Sequence, residues 1–291
     1  MTDSRLAIVV LAAGQGTRMK SSRPKVLHDL AGVPLLGHVL ATARELSAAH
    51  VVTVVRHERD LVAAAVDEFL PGSTVVDQDD IPGTGRAVEV ALGALSADFE
   101  GEVVIVSGDV PMLDADTLTQ LIAEHRAAAA GATLLSAVLD DAHGYGRVVR
   151  GANGDLESIV EHKDATDEQR AIAEVNSGTY VFSVGPLREH LALVTTDNVQ
   201  NEKYLTDVVA MIRESGSVVA AMPVAQPWIV AGINDRAQLG EAALRMNQLI
   251  VRGHQLNGVT ILDPASTWID LEVSIGAVSY THLTLPTNRE V

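Results

Sequence analysis

There is no cysteine anywhere in the 291 residues, which excludes disulfides, thiolate metal sites and a cysteine nucleophile, and fits a reducing compartment. Aromatic residues make up only 3%, too few for the stacking platforms that hold single-stranded nucleic acids. Bases are scarce: 21 Lys and Arg stand against 38 Asp and Glu, a net charge of −17. That balance opposes a polyanion or an anionic membrane surface, so neither nucleic acid nor membrane is an expected partner. No apolar run approaches the ~20 residues of a membrane span, and the first residues lack a signal-peptide pattern, so a cytoplasmic protein is expected. The 10 histidines contain no H-E-x-x-H, and G-x-S-x-G is absent, which leaves zinc-protease and serine-hydrolase chemistry without support.

With 47% hydrophobic residues, a chain of this length can bury about three quarters of its unfolded surface, enough for one large domain and an appendage. Apolar runs at 6–10, 51–55, 73–76, 102–106 and 133–138 read as buried strands. Between them, 34–46, 61–70 and 114–130 have helical periodicity. Pro34 suits a first helical position, Asp114 or Asp116 a cap, and Gly131 a helix end. Strands alternating with helices predict an α/β fold with a doubly wound, mostly parallel, Rossmann-like sheet. The pattern changes after Gly144: 148–149 and 156–160 flank the turn 151–154 and read as a hairpin, an antiparallel insertion. Helices are expected again at 205–213 and 236–252.

The stretch 11–25, LAAGQGTRMKSSRPK, follows the first strand and opens with Gly14 and Gly16. Open α/β sheets bind ligands at that edge. From Gly14 to Lys25 it carries Arg18, Lys20, Arg23 and Lys25 and no acid, a local reversal of sign that suits a phosphate-rich ligand. It is neither a dinucleotide fingerprint, since Met19 stands where a third glycine is needed, nor a P-loop, since Gly-Lys-Ser/Thr is missing. The bland alternative is a surface turn with solvated charges. Asp109 at the end of the fourth strand suits a hard cation or ordinary turn chemistry.

The stretch 11–28 resembles the signature of sugar-1-phosphate nucleotidyltransferases, and particularly of the bifunctional GlmU family, an N-acetylglucosamine-1-phosphate uridyltransferase joined to a glucosamine-1-phosphate acetyltransferase. Further matches follow in order: GTGRA at 83–87, SGDVPML at 107–113, GYGR at 144–147, IVEHKDATDEQR at 159–170, VNSGTY at 175–180, YLTD at 204–207 and AGINDR at 231–236. The resemblance implies the nucleotide-diphospho-sugar transferase type of fold and a Mg²⁺-dependent reaction serving cell-wall precursor synthesis. UTP and N-acetylglucosamine 1-phosphate would give UDP-N-acetylglucosamine and pyrophosphate. It assigns Arg18 and Lys25 to catalysis. Leu11, Ala12, Ala13, Gly14, Lys25, Gln78, Gly83, Thr84, Ser107, Gly108 and Asp109 would meet the nucleotide and its phosphates. Gly146, Glu161 and Asn176 would hold the sugar, and Asp109 and Asn234 the Mg²⁺, Asn234 also touching substrate. Ile81 stands where many relatives have a second glutamine, and Arg86 where histidine is frequent.

Bland alternatives exist for several of these residues: Gln78 as a loop amide in water, Glu161 paired with Lys163, Asn234 as a turn residue. For the whole chain, the alternatives are a related transferase using another sugar phosphate or nucleotide, or a catalytically silent sensor of sugar nucleotides. The expected organisation is a nucleotidyltransferase domain over 1–235, a linker helix over 236–258, a truncated start of a left-handed β-helix over 259–278, where Ile269 and Ile275 mark a six-residue period, and a non-native tail over 279–291. Full-length relatives are trimeric through the β-helix; this chain is expected to lack acetyltransferase activity and not to be an obligate trimer.

Overall fold

The computed structural model describes residues 3–279. Of the segment expected as a tail, 280–291 therefore lies outside the described residues. The chain runs β1 (Asp3–Leu11), β2 (Asp29–Leu30), β3 (Val33–Pro34), α1 (Leu35–Glu45), β4 (Ala48–Val55), α2 (Arg59–Phe69), β5 (Thr74–Asp77), α3 (Thr84–Leu92) and β6 (Glu102–Ser107). It continues with α4 (Ala115–Ala127), β7 (Ala132–Val138), β8 (Arg147–Arg150), β9 (Leu156–Val160), α5 (Asp167–Arg170), β10 (Glu174–Ser183), α6 (Val184–Leu191), α7 (Leu205–Glu214), β11 (Val219–Pro223) and α8 (Arg236–Leu256).

Because strand side chains alternate between faces, β1 feeds two cores. Ile8 and Val10 pack with Leu40 of α1, Val62 of α2 and Leu121 of α4. Ala7 and Val9 pack on the other face with Val88 of α3, Leu187 of α6 and Val208 of α7. A sheet buried on both sides needs continuous apolar runs, which is why 6–10 is legible as a central strand. Each such side chain contributes roughly 1.5–3 kcal/mol by leaving water.

The sheet order is β11-β7-β10-β6-β1-β4-β5, with the β8–β9 hairpin attached through β10. β1 pairs in parallel with β4 and β6, β4 with β5, and β7 with β11. The mostly parallel, doubly wound α/β sheet is therefore present. β10, however, lies inside it and antiparallel to both β6 and β7. Nothing in its run of residues distinguishes that placement, since a strand buried on two faces has the same composition in either direction.

Helix ends differ slightly from the expected ones. Asp114 is the cap of α4, accepting from Thr117 N at 2.7 Å, whereas the helix stops at Ala127 and the left-handed residue is Ala129, not Gly131. Gly131 serves packing instead: a Cβ there would lie 2.6 Å from Ile212 Cγ2. Pro34 precedes the first helical residue of α1 as its cap. Beyond α8, Val259, Ile261 and Ile269 pack on Val251, with Ile275 alongside. Asn247 ties this coil down through Thr267 O at 2.8 Å and Ile269 N at 3.1 Å. No strand forms among the described residues 257–279.

Candidate active site

The carboxyl ends of β1, β4, β5 and β6 open into one cleft of about 790 Å³. Its floor is backbone: Ala12 N donates to Val54 O and Gly108 N to Leu11 O, each at 2.9 Å. Gly108 fits closely here, since a Cβ would come within 3.2 Å of Leu11 O and press on it. Leu11, Ala12, Ala13 and Gly14 line one wall, with Ser107 and Asp109 beside them. Gly16, at φ 63°, turns the loop so tightly that a Cβ there would strike Lys25 Cβ. Only glycine tolerates that combination. Lys25 begins a short helical turn whose next residues, Val26 and Leu27, are buried, so its backbone is fixed by packing.

Four side chains then meet. Lys25 Nζ donates to Asp109 Oδ2 and, at 3.1 Å, to Asn234 Oδ1. Arg18 Nη2 donates to the same Asn234 oxygen at 2.8 Å, across 216 residues of sequence. Asn234 is held by its own surroundings, its N–H donating to Gln238 Oε1 at 2.7 Å, while Ile233 N donates to the Asp109 carbonyl at 2.9 Å. Two hard oxygens, one carboxylate and one amide, thus converge on a single cation. Oxygens of this kind fit Mg²⁺ or a similar divalent ion completed by water and phosphate. Among the described residues, no group of three or more His, Cys, Asp or Glu offers a metal site. Not every cation of the loop joins: Arg23 forms a two-pronged pair with Asp29 at 2.8 and 2.9 Å and is turned away.

Together with the 11–14 wall, Gln78, Gly83 and Thr84 line the same cleft. Gln78 Nε2 donates to Ile81 O and to Gly83 O, both at 3.1 Å. Two carbonyl partners identify that atom as the nitrogen and engage both of its N–H groups, so the acceptor Oε1 is what Gln78 has left. The amide is therefore not a loop side chain in water. Thr84 Oγ1 accepts from Leu205 N at 3.4 Å.

Gly146, Glu161 and Asn176 form a second group. A Cβ at Gly146 would lie 3.6 Å from Asn176 Cβ and 3.6 Å from Glu161 Oε2, and Asn176 N donates to Gly146 O at 2.9 Å. The pairing of β10 with β7 shifts between Asn176 and Tyr180, a bulge of the sort that re-aims side chains at sites. Within it, Asn176 Nδ2 donates to the Tyr180 hydroxyl at 2.6 Å and Gly178 N to Asn176 Oδ1 at 3.0 Å. The bulge brings Gly178 beside Ser107 of the first group. Glu161 accepts from Thr206 Oγ1 at 3.2 Å. Burial pushes its carboxyl above the ordinary range, and the neighbouring Asp164, Asp207 and Glu202 add to this. Burial likewise raises the Tyr180 phenol, helped by Glu161. Lys163 does not pair with Glu161; it donates to Gln200 at 2.5 Å.

Thr206, Tyr180 and Gln238 are residues near these groups that sequence reading did not single out. Thr206 lies in the YLTD motif, and Tyr180 ends VNSGTY; Gln238 carries no local signal.

Residues 8–176 match the MobA-like NTP transferase domain family. The chain is similar to the bifunctional protein GlmU of Leifsonia xyli subsp. xyli, 61% identical over 94% of this chain and 57% of that one. GlmU of Clavibacter sepedonicus is 58% identical over 94% of this chain and 55% of its own. The chain thus spans little more than half the length of these relatives. Among solved structures, the inositol-1-phosphate CTP transferase from T. maritima aligns with a TM-score of 0.61 at 17% identity, covering 82% of this chain and 95% of that one. At that identity the likeness speaks for the fold alone.

Proposed function

The chain belongs to the GlmU family and carries its MobA-like NTP transferase domain, and from that premise we propose that it transfers a uridylyl group from UTP to N-acetylglucosamine 1-phosphate. One observation carries the proposal: Arg18, Lys25, Asp109 and Asn234 meet at the carboxyl edge of the sheet, against a wall of backbone formed by 11–14. Such a site has cations, oxygen donors and glycine, and its one carboxylate, Asp109, is engaged by Lys25, which leaves no free side-chain base where the four residues meet.

None is needed. The sugar phosphate's second pKa is near ~6, so at pH 7 its oxygen is largely ionised and can attack the α-phosphorus directly. A bond forms from that oxygen to the α-phosphorus, and the bond to the bridging oxygen breaks, releasing pyrophosphate and UDP-N-acetylglucosamine. Arg18 and Lys25 lie where negative charge builds on the departing phosphates, and catalysis is positioning plus charge neutralisation. Asp109 and Asn234 would hold Mg²⁺, which when bound supplies further charge neutralisation at phosphate oxygens. Leu11 to Gly14, Gly83, Thr84, Ser107 and Gly108 shape the nucleotide cleft. Gly146, Glu161 and Asn176 form the sugar subsite. Gln78 Oε1 accepts from the imide N–H of uracil, whereas cytosine would turn an acceptor lone pair of its ring nitrogen toward that oxygen and be disfavoured.

Pyrophosphate release measured with UTP, CTP and dTTP, each against N-acetylglucosamine 1-phosphate and glucose 1-phosphate, tests this. The expected outcome is turnover with UTP and N-acetylglucosamine 1-phosphate, abolished by excess chelator and restored by Mg²⁺. Preference for CTP, or full activity in chelator, would sink it. The dTTP arm matters because thymine has the same imide N–H, so Gln78 favours a thymidylyl transferase as the second reading. Among the described residues, no helix is long and apolar enough to cross a membrane. The cytoplasm, where nucleoside triphosphates and sugar phosphates are made, is the proposed location.

A further inference from the structure

Gln78 reads a base only if its amide stays oriented, and the orientation is set by the loop that carries it. Both acceptors of its nitrogen, Ile81 O and Gly83 O, lie within that loop. The loop is short of rigid elements of its own, and it is held from behind by charges. Asp79 accepts from Ile81 N at 3.1 Å and from Arg86 Nε at 3.1 Å and Nη2 at 2.5 Å. Arg86 Nη1 in turn donates to Glu89 Oε2 at 2.6 Å, and the same oxygen accepts from Lys203 Nζ at 3.0 Å.

Lys203 is the fixed end of this chain. It is 8% exposed, and its backbone clasps the loop directly: Lys203 N donates to Pro82 O at 2.9 Å, and Gly85 N to Lys203 O at 2.8 Å. A Cβ on Gly85 would come within 2.7 Å of Lys203 O, and one on Gly83 would run into the Lys203 backbone. Contact this close leaves the glycines little room to shift. Exposed ion pairs taken singly do little. Here four charges share acceptors, the terminal ammonium is buried, and breaking one link leaves a half-buried carboxylate short of a partner. Glu89 is held below the ordinary carboxylate range against its own burial, chiefly by Arg86 and then by Lys203.

We propose that Lys203, acting through Glu89, Arg86 and Asp79, is a positioning residue that fixes the Gln78 amide and so sets the preference for a base with an imide N–H over cytosine. This rests on the nucleotide assignment proposed above. Among the described residues, no hydrogen bond or ion pair joins Lys203 to Arg18, Lys25 or Asp109, or to Gly146, Glu161 or Asn176. Its loss should therefore fall on base selection and not on the sugar.

The test compares wild type with Lys203→Met, Lys203→Arg and Glu89→Gln. Binding of UTP and CTP is measured by calorimetry, and pyrophosphate release is measured with each nucleotide. In Lys203→Met and Glu89→Gln, the UTP-over-CTP ratio should fall by about 10-fold or more, the scale of losing a fixed polar contact. KM for the sugar phosphate should stay within about 2-fold, and Lys203→Arg should restore most of the ratio. An unchanged ratio in Lys203→Met with its melting temperature kept would overturn the proposal. So would an equal rise in both KM values, or a Lys203→Arg variant as impaired as Lys203→Met. The calorimetric ratio separates the two readings: selective UTP binding without turnover counts against the reaction and leaves the positioning role standing, whereas turnover with an unmoved ratio does the reverse.

Discussion

The two groups that flank the cleft are built by opposite means. On the proposed nucleotide side, loops at the ends of the parallel strands β1, β5 and β6 present cations and backbone, shaped locally by glycines but joined across 216 residues by Arg18 and Asn234. On the proposed sugar side, one residue beside β8, one beside β9 and one at the bulge of β10 come together from the single stretch 146–176, and the charges there are acids: Glu161, Asp164, Glu202 and Asp207. A side that neutralises developing charge must act on the transition state; a side that recognises neutral hydroxyls and an acetamide acts on binding. On the proposed function, the molecule would therefore divide rate from affinity between the two sides of its cleft.

The sharpest way to break that division is to remove a cation. Lys25→Ala and Arg18→Ala should each lower kcat by about 10²- to 10³-fold, the range for losing a preorganised charge-stabilising group. KM for the sugar phosphate should barely move. Rates near wild type in both variants would remove the phosphate side from catalysis.

Acid should destabilise the fold through a histidine buried beneath the antiparallel strand. His125, 2% exposed, lies under the junction of β7 and β10. Its Nδ1 is 2.9 Å from Thr133 Oγ1 and its Nε2 3.2 Å from Ser183 Oγ. Ser183 Oγ already donates to Ala130 O at 2.8 Å, so Nε2 carries the hydrogen and Nδ1 accepts. Burial lowers its pKa to about 4. The unfolded chain takes up this proton near pH 6.5 and the folded one only near pH 4, so stability present above 6.5 is lost as pH falls between them. The loss should reach roughly 3 kcal/mol by pH 4. Unfolding followed by denaturant at several pH values should show a clearly shallower slope in His125→Gln than in wild type. An equal slope in both would take His125 out of the account.

On the sugar side, Glu161→Gln should raise KM for the sugar phosphate about 10-fold, as one charge-assisted hydrogen bond is lost, with kcat nearly kept. A fall in kcat alone would blur the contrast. The smallest effect is expected from Thr206→Val, which removes one hydrogen bond to Glu161 and should raise the same KM by roughly 2- to 5-fold. Since that bond holds the Glu161 pKa down, the acid limb of the KM profile should move to higher pH in this variant.

Much of this was legible before any coordinates. The runs at 6–10 and 102–106, the Asp114 cap, and the cationic loop with its glycines are all local patterns, and the strand and helix order follows from them. The likeness of eight short motifs to one family placed Asp109 and Asn234 in one site. Bland readings failed where tertiary contacts decide: Glu161 had a nearer cation in sequence, Lys163, but that ammonium turns to Gln200. Arg23 looked like its neighbours and belongs to Asp29 instead.

The amino-acid sequence by itself determined which segments bury, where the backbone must be glycine and which charges are available, because periodicity, φ and net charge are properties of a short window. Only the tertiary structure decided that β10 enters antiparallel between β6 and β7, that Gln78 keeps its acceptor free by engaging its nitrogen, and that Lys203 stands behind the 78–86 loop. The first and last depend on contacts between residues far apart in the chain, as between Glu89 and Lys203, and the second on the path of the 78–83 loop. Nothing in a strand's composition states its direction, and nothing in an isolated lysine names the carboxylate it will meet.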